Sequence, residues 1–206
     1  MEEDFYKTLE LKLRVEFLKK VKEYACKLHD EVVNQKYDNY LPYSFHLNLV
    51  AKFVMKFMPD DITDDVKAGL IMAAYLHDSI EDARLTYNDV LELLSDEFKF
   101  VAGIVYACTN EKGKNRKERA NDKFYEELRA TPYAPFVKAC DRLANVFYST
   151  EISTTSRMKE VYKKEMDEFT EKIGLTEEIF RTTSDDPMVE ATKKVIFAID
   201  DLLEEE

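Results

Sequence analysis

Apolar residues recur at three- and four-residue spacing along almost the whole chain, and no segment sustains strict apolar–polar alternation with β-branched residues. The pattern predicts helices. "YKTLELKLRVEFLKKVKEYACKLHDEVV" is one long helix or two abutting ones, ending near Asn34. "QKYDNYLP" is a loop, and Pro42 opens the helix "YSFHLNLVAKFVMKFM". After "PDDITDD", Thr63 is the expected N-cap, with Asp64 and Asp65 favouring the positive helix end. The helix that follows, from about Val66, carries "AAYLHDSIEDA". Thr86 caps "YNDVLELL", and "FKFVAGIVYACT" follows. A polar insert, "NEKGKNRKERANDK", leads into "FYEELRA". "APFVKACDRLANVFYS", "SRMKEVYKKEMDEFTEKIG" and "MVEATKKVIFAIDDLL" complete the series, with "RTTSDDP" the only linker-like stretch late in the chain. No internal repeat is visible, so the expectation is an all-α fold, a single helical bundle in one domain over residues 1–206.

Composition supports this and narrows the function. Four glycines and five prolines in 206 residues leave little material for hairpin turns. A net charge of −12 argues against a general nucleic-acid binder and against attraction to anionic membranes. The N-terminal "MEEDFYKTLELKLR" lacks the basic and apolar regions of a signal peptide, and no apolar run approaches a membrane span. Cys26, Cys108 and Cys140 are odd in number and far apart, which suggests neither a disulfide framework nor a cysteine zinc site. A cytoplasmic, reduced setting is expected. Homo-oligomerisation is not derivable from these features.

The chemistry concentrates in "AAYLHDSIEDA", where His77, Asp78, Glu81 and Asp82 interrupt an apolar helix. On a helix, residues four apart share a face, so His77 is expected over Glu81 and Asp78 over Asp82. Imidazole with carboxylates suits a divalent ion such as Mn, Fe or Zn, and the absence of thiolates disfavours a structural zinc site. The similar dipeptide His29–Asp30 lies on a charged helix without a following Glu-Asp pair, and is expected to be solvated or salt-bridged. His46 interrupts "YSFHLNLVA", and Asp141 interrupts "FVKACDRLANVF" beside Lys138 and Arg142. Each alone reads as a hydrogen-bonded core histidine or an ion-paired aspartate. As a set, three apolar helices offer two histidines and two carboxylates, the ligand types still missing from a complete shell.

The pieces "KYDNYLPYSFHL", "AAYLHDSIEDA", "TNEKGKNRKER" and "VKACDRLANV", in this order over roughly residues 25–150, resemble the HD superfamily of metal-dependent phosphohydrolases. Within it they are similar to the RelA/SpoT-type alarmone (ppGpp) hydrolase domains and their small stand-alone relatives. The resemblance implies the HD-domain type of helical bundle. It implies one divalent ion, Mn foremost, held by His46, His77, Asp78 and Asp141. It implies Glu81 and Asp82 as the acidic pair near the attacking water and Asn145 as a nucleotide contact. Where these hydrolases carry an Arg-Lys pair before "PYxxH", this chain has one extra residue, leaving Lys36 and Tyr37 nearest those positions. Nothing after about residue 150 resembles the synthetase or regulatory parts of long RelA/SpoT proteins, so residues 151–206 are expected to pack as helices on the motif core.

The insert is the one dense basic segment of an acidic chain, with Lys112, Lys114, Arg116, Lys117 and Arg119 in eight residues. Its position resembles the substrate-facing segment of the small alarmone hydrolases, and guanidinium forks suit phosphate oxygens. Lys114, Arg116 and Arg119 are therefore expected to clamp a pyrophosphate. The function expected is metal-assisted hydrolysis of a nucleotide, foremost removal of the 3′-pyrophosphate of ppGpp or pppGpp. A dinucleotide phosphate or deoxynucleotide is the alternative substrate, and a silent helical sensing or assembly protein the rival class.

Overall fold

The computed structural model describes residues 2–110, 114–153 and 157–204, and their side chains except at residues 2–10, 116 and 117. The apolar spacing is realised as helices: α1 (Glu2–Lys27), α2 (Ser44–Phe57), α3 (Asp64–Leu76), α4 (Tyr87–Glu92), α5 (Phe100–Cys108), α6 (Arg116–Arg119), α7 (Asp122–Ala130), α8 (Ala134–Phe147), α9 (Met158–Lys172), α10 (Glu177–Arg181) and α11 (Pro187–Glu204). The fold is all-α apart from two strands of two residues each among the described residues. No described helix is long and apolar enough to cross a membrane, and all three cysteines are free thiols.

The core forms around α3, whose residues Ala68, Leu70 and Met72 to Leu76 are all buried. Burying a side chain such as Leu70 or Met72 stabilises the fold by about 1.5–3 kcal/mol each. α3 packs against α1, α2 and α5, while α8 packs against α2, α5 and α11. Gly69 makes the α3–α5 contact feasible. A Cβ there would lie 2.2 Å from the Phe100 ring, well inside van der Waals contact.

Helix starts follow the expected caps. Thr63 Oγ1 accepts from the Val66 amide at 3.3 Å, and Thr86 forms a reciprocal capping box with Asp89. α7 is capped by Asn121, whose Oδ1 accepts from the Phe124 amide at 3.1 Å.

Three local expectations are corrected. "QKYDNYLP" is a small hairpin, β1 (Lys36–Tyr37) pairing antiparallel with β2 (Leu41–Pro42). Asp38 and Asn39 sit at φ 48° and 68°, left-handed values that Asp and Asn tolerate best among non-glycine residues. Pro42 therefore ends a strand, and α2 opens two residues later at Ser44.

The helix bearing the "HD" motif ends at Leu76, so residues 77–83 form hydrogen-bonded turns and the helical His77-over-Glu81 stacking does not arise. Ser79 competes for the last turn, since both its amide and its hydroxyl donate to the Leu76 carbonyl, at 2.9 and 2.6 Å. The turn still brings Asp78 and Asp82 together through an Asp82 amide bond to the Asp78 carbonyl at 2.8 Å.

His29 and Asp30 are neither solvated nor ion-paired decorations. α1 continues into a wide π turn, Leu28–Val32, that buries His29 completely. Asp30 Oδ1 accepts the Ser44 amide at 2.9 Å, capping α2 from outside.

Candidate active site

Four side chains from three elements meet at one point. His46 lies in the first turn of α2, His77 and Asp78 directly follow α3, and Asp141 sits midway along α8. All four are buried. The two Nε2 atoms are 3.3 Å apart, His77 Nε2 is 2.9 Å from Asp78 Oδ2, and His46 Nε2 is 3.2 Å from Asp141 Oδ1. Asp141 Oδ1 also lies 3.7 Å from His77 Nε2, and Asp78 Oδ2 lies 3.6 Å from His46 Nε2.

The donor set fits a divalent ion. Donors about 2.1 Å from a common ion stand roughly 3–3.5 Å apart at ordinary coordination angles. The His46–His77 and His46–Asp141 separations of 3.3 and 3.2 Å fall there, and the other three lie within 0.2 Å of that range. His46, His77 and Asp78 together form a cluster that could hold a metal ion. His77 Nδ1 donates to the Ala74 carbonyl at 2.8 Å, which turns the Nε2 lone pair toward the cluster.

Burial alone would pull the His77 imidazole down, but the Asp78 and Asp141 carboxylates overcome it and hold the group at about 10. His46 is likewise raised against its burial, by Asp141 and Asp78. Burial opposes ionisation of the carboxylates too. The histidines nevertheless hold Asp78 well below the usual range, and Lys138 with the histidines does the same for Asp141. The site is therefore built to stabilise positive charge at its centre.

Glu81 and Asp82 face the same cavity from the turn after Asp78. Asn110 donates to Glu81 through its amide at 3.2 Å and its side chain at 3.0 Å, and Arg119 Nη1 lies 3.7 Å away. Asp82 Oδ2 accepts from Gln35 Nε2 at 2.8 Å and from the Tyr43 hydroxyl at 3.1 Å. The same hydroxyl donates to Asp78 Oδ2 at 2.6 Å. Burial and the two aspartates push Tyr43 well above its usual range, so it stays a donor.

The cavity holds about 230 Å³ and runs from these carboxylates to Arg119, Tyr125, Arg142, Tyr162 and Phe169. A second cavity of about 240 Å³ shares Ala120, Tyr125, Arg142 and Phe169 with it and continues toward Glu165, Glu168 and Lys172. Arg142 is fixed by Glu165 at 2.9 Å and lies over the Phe169 and Tyr162 rings, 4.4 and 5.0 Å from their centroids. Asp141 pairs with Lys138 at 3.0 Å, so of the two cations expected beside it Lys138 is the partner.

The expected substrate contacts are placed unevenly. Asn145 lines the cavity one turn after Asp141 and donates to Asp141 Oδ1 at 2.7 Å. Tyr37 backs the site instead: its ring stacks on His46 at 5.0 Å, and its hydroxyl donates to Asn145 Oδ1 at 2.8 Å. Lys36 is exposed on the hairpin, and Lys114 is exposed with its amide bonded to Glu118. Arg119 reaches the cavity edge. Lys112 and the side chain of Arg116 lie outside the described residues.

Sequence reasoning missed Tyr43, Gln35, Asn110 and the cavity-facing role of Lys138. Tyr43 carried the best signal, an aromatic three residues before His46 and hence on the same helical side.

Comparison with known proteins agrees with this description. No family model matches the chain. The fold is the all-α HD type of a solved structure of a metazoan ortholog of SpoT, with a TM-score of 0.60 and 22% identity over 90% of this chain and 93% of the other. That structure is described as hydrolysing ppGpp and playing a role in starvation responses. In sequence the chain is similar to the guanosine-3′,5′-bis(diphosphate) 3′-pyrophosphohydrolase MESH1 of Drosophila melanogaster, 32% identical over 85 residues. The match spans 41% of this chain and 44% of that relative, less than half the length of each.

Proposed function

We propose that the protein is a metal-dependent phosphohydrolase that removes the 3′-pyrophosphate of ppGpp or pppGpp, giving GDP or GTP and pyrophosphate. One observation carries this reading. Two imidazoles and two carboxylates from α2, the end of α3 and α8 converge at one end of a cavity that Arg119 and Arg142 line further along. The activity of the Drosophila relative supports the choice of substrate. The reading treats the chain as one hydrolase unit, with α11 packed on the outside of α8.

His46, His77, Asp78 and Asp141 would hold the ion, and a mixed imidazole–carboxylate set without thiolate suits Mn. When bound, such an ion acidifies water and offsets charge on a phosphoryl group. Asp82, facing the cavity beside Asp78, is placed to orient a water or accept its proton. Glu81 is held between Asn110 and Arg119 and serves as the second proton-handling carboxylate. Arg119 places a cation beside Glu81 and Lys138 one beside Asp141, and Arg142 offers a pre-oriented guanidinium for phosphate oxygens.

Lys36 is exposed and Tyr37 is stacked on His46, so neither described side chain offers the cavity a cation that would select guanine. A dinucleotide phosphate or deoxynucleotide is therefore the second substrate reading. The test is turnover of a nucleotide panel with Mn, reading pyrophosphate and phosphate separately. Pyrophosphate from ppGpp alone supports the first reading, and release only from another nucleotide supports the second. A metal-free protein inert on the whole panel overturns both.

A further inference from the structure

His29 is the described histidine that the proposed metal site does not use. It is fully buried, and its ring stacks on Tyr43 at 4.9 Å and 17°. Its Nδ1 lies 2.7 Å from Gln35 Oε1, and Gln35 Nε2 donates to Asp82 Oδ2 at 2.8 Å. Its Nε2 is buried with no hydrogen-bond partner among the described residues.

These contacts fix every proton in the chain. An ionised carboxylate only accepts, so Gln35 must present its NH₂ group to Asp82. That turns the amide oxygen, which also only accepts, toward His29. His29 must then carry its proton on Nδ1, which leaves Nε2 as a bare lone pair. A second proton on Nε2 would bury an unsatisfied N–H and a charge together, at a cost well above that of the lone pair. Burial accordingly pulls the imidazole down, toward the neutral form.

We propose that Gln35 and His29 are positioning residues for Asp82, a neutral relay that fixes the rotation of its carboxylate in the cleft. Gln35 and Tyr43 both bond to Oδ2, so the opposite oxygen, Oδ1, is the one presented to the cavity. A lysine in place of Gln35 would also hold the carboxylate but would neutralise it, whereas an amide leaves its full charge for proton transfer. His29 contributes by locking which end of that amide faces Asp82. The π turn Leu28–Val32 and the left-handed Asn34 (φ 53°) bring the two together six residues apart, and the Gln35 amide closes the turn on the His29 carbonyl at 2.8 Å.

The inference rests on the reading of Asp82 as a proton-handling group of a hydrolase, and its test has one arm independent of that reading. With only three histidines in the chain, ¹⁵N spectra of histidine-labelled protein loaded with diamagnetic zinc resolve each tautomer. His29 should be neutral and protonated on Nδ1, and Gln35→Leu should change its signal. A wild-type His29 protonated on Nε2 overturns the proposal whether or not any nucleotide is turned over.

The kinetic arm compares three variants of unchanged metal content and unfolding midpoint. Gln35→Leu should lower kcat ~10-fold with KM unchanged, as loss of an outer-shell orienting partner does. His29→Asn places an amide nitrogen where Nδ1 was and should keep kcat within about twofold of wild type. His29→Gln places it where Nε2 was and should fall with Gln35→Leu. Equal loss in the two His29 variants, or full kcat in Gln35→Leu, overturns the positioning role. A wild type inert on nucleotides refutes the hydrolase reading and leaves the tautomer to decide the relay.

Discussion

The Nε2 atoms of His46 and His77 face each other at 3.3 Å, with a carboxylate oxygen within 3.2 Å of each. With its Nδ1 proton on the Ala74 carbonyl, a neutral His77 presents a bare Nε2 lone pair 2.9 Å from the Asp78 carboxylate. Two buried acceptors that close need a positive charge between them. In solution that charge is a proton or a metal ion, and four donors make the ion the better partner.

Asp78→Ala should therefore empty the site. It removes an anion that also receives the Tyr43 hydroxyl at 2.6 Å, so two histidines would be left with Asp141 alone. Metal content of purified wild type and variant is the measurement. Equal occupancy in both would take Asp78 out of the ligand set.

Glu81→Gln should keep the metal and lose turnover, ~100-fold or more if a general acid–base group is removed. Its contacts are with Asn110 and Arg119, away from the histidine pair. A variant that loses metal and fold together would show that Glu81 is structural.

Arg119→Ala tests whether the basic insert meets substrate. Its side chain is 47% exposed, with the guanidinium 3.7 Å from Glu81 at the edge of the cavity. KM should rise more than kcat falls, since phosphate binding acts in ground and transition states alike. The effect should shrink with salt, because exposed charges are screened beyond roughly 10 Å at moderate ionic strength. An unchanged KM at two salt concentrations would make the segment a solvated loop and helix start.

Asp200 offers a pH test away from the site. Burial first, then Glu204, Asp167 and Asp201, raise its carboxyl to about 6 from an ordinary 3.8. The folded state then holds the proton more tightly than the unfolded one, so this group favours folding below pH 4 and costs stability as pH rises through 6. Asp200→Asn should raise stability at pH 7 by on the order of 1 kcal/mol, after discounting for solvent screening, and change little at pH 3.5. Denaturant midpoints at the two pH values measure it. A gain at pH 3.5 as large as at pH 7 would refute the assignment.

The helices and their caps were legible because they follow from local spacing: Thr63 and Thr86 cap as their positions dictate. The convergence of His46, His77, Asp78 and Asp141 was legible because titratable groups stand out on apolar helices. What escaped depends on long-range pairing. Gln35 reaches Asp82 across 47 residues, and nothing in "VVNQ" signals a buried amide. His29 looked like a charged-face residue because a π turn, invisible to 3.6-residue spacing, rotates it inward. The helix end at Leu76 was hidden for a related reason, as Ser79 captures a carbonyl that apolar periodicity would leave to the helix.

The donors assigned to the ion come from α2, the end of α3 and α8, with His46 and Asp141 roughly a hundred residues apart in the chain. An unfolded chain offers no such site, so on this ligation occupancy favours the folded state by mass action. At an ion concentration a hundredfold above Kd the gain is about 2.7 kcal/mol, a large share of a typical domain's total stability. On the proposed reading, divalent metal supply would govern how long the polypeptide survives proteases as well as whether it turns over substrate. Scarcity would thin the population of molecules, and repletion would restore it only through new synthesis.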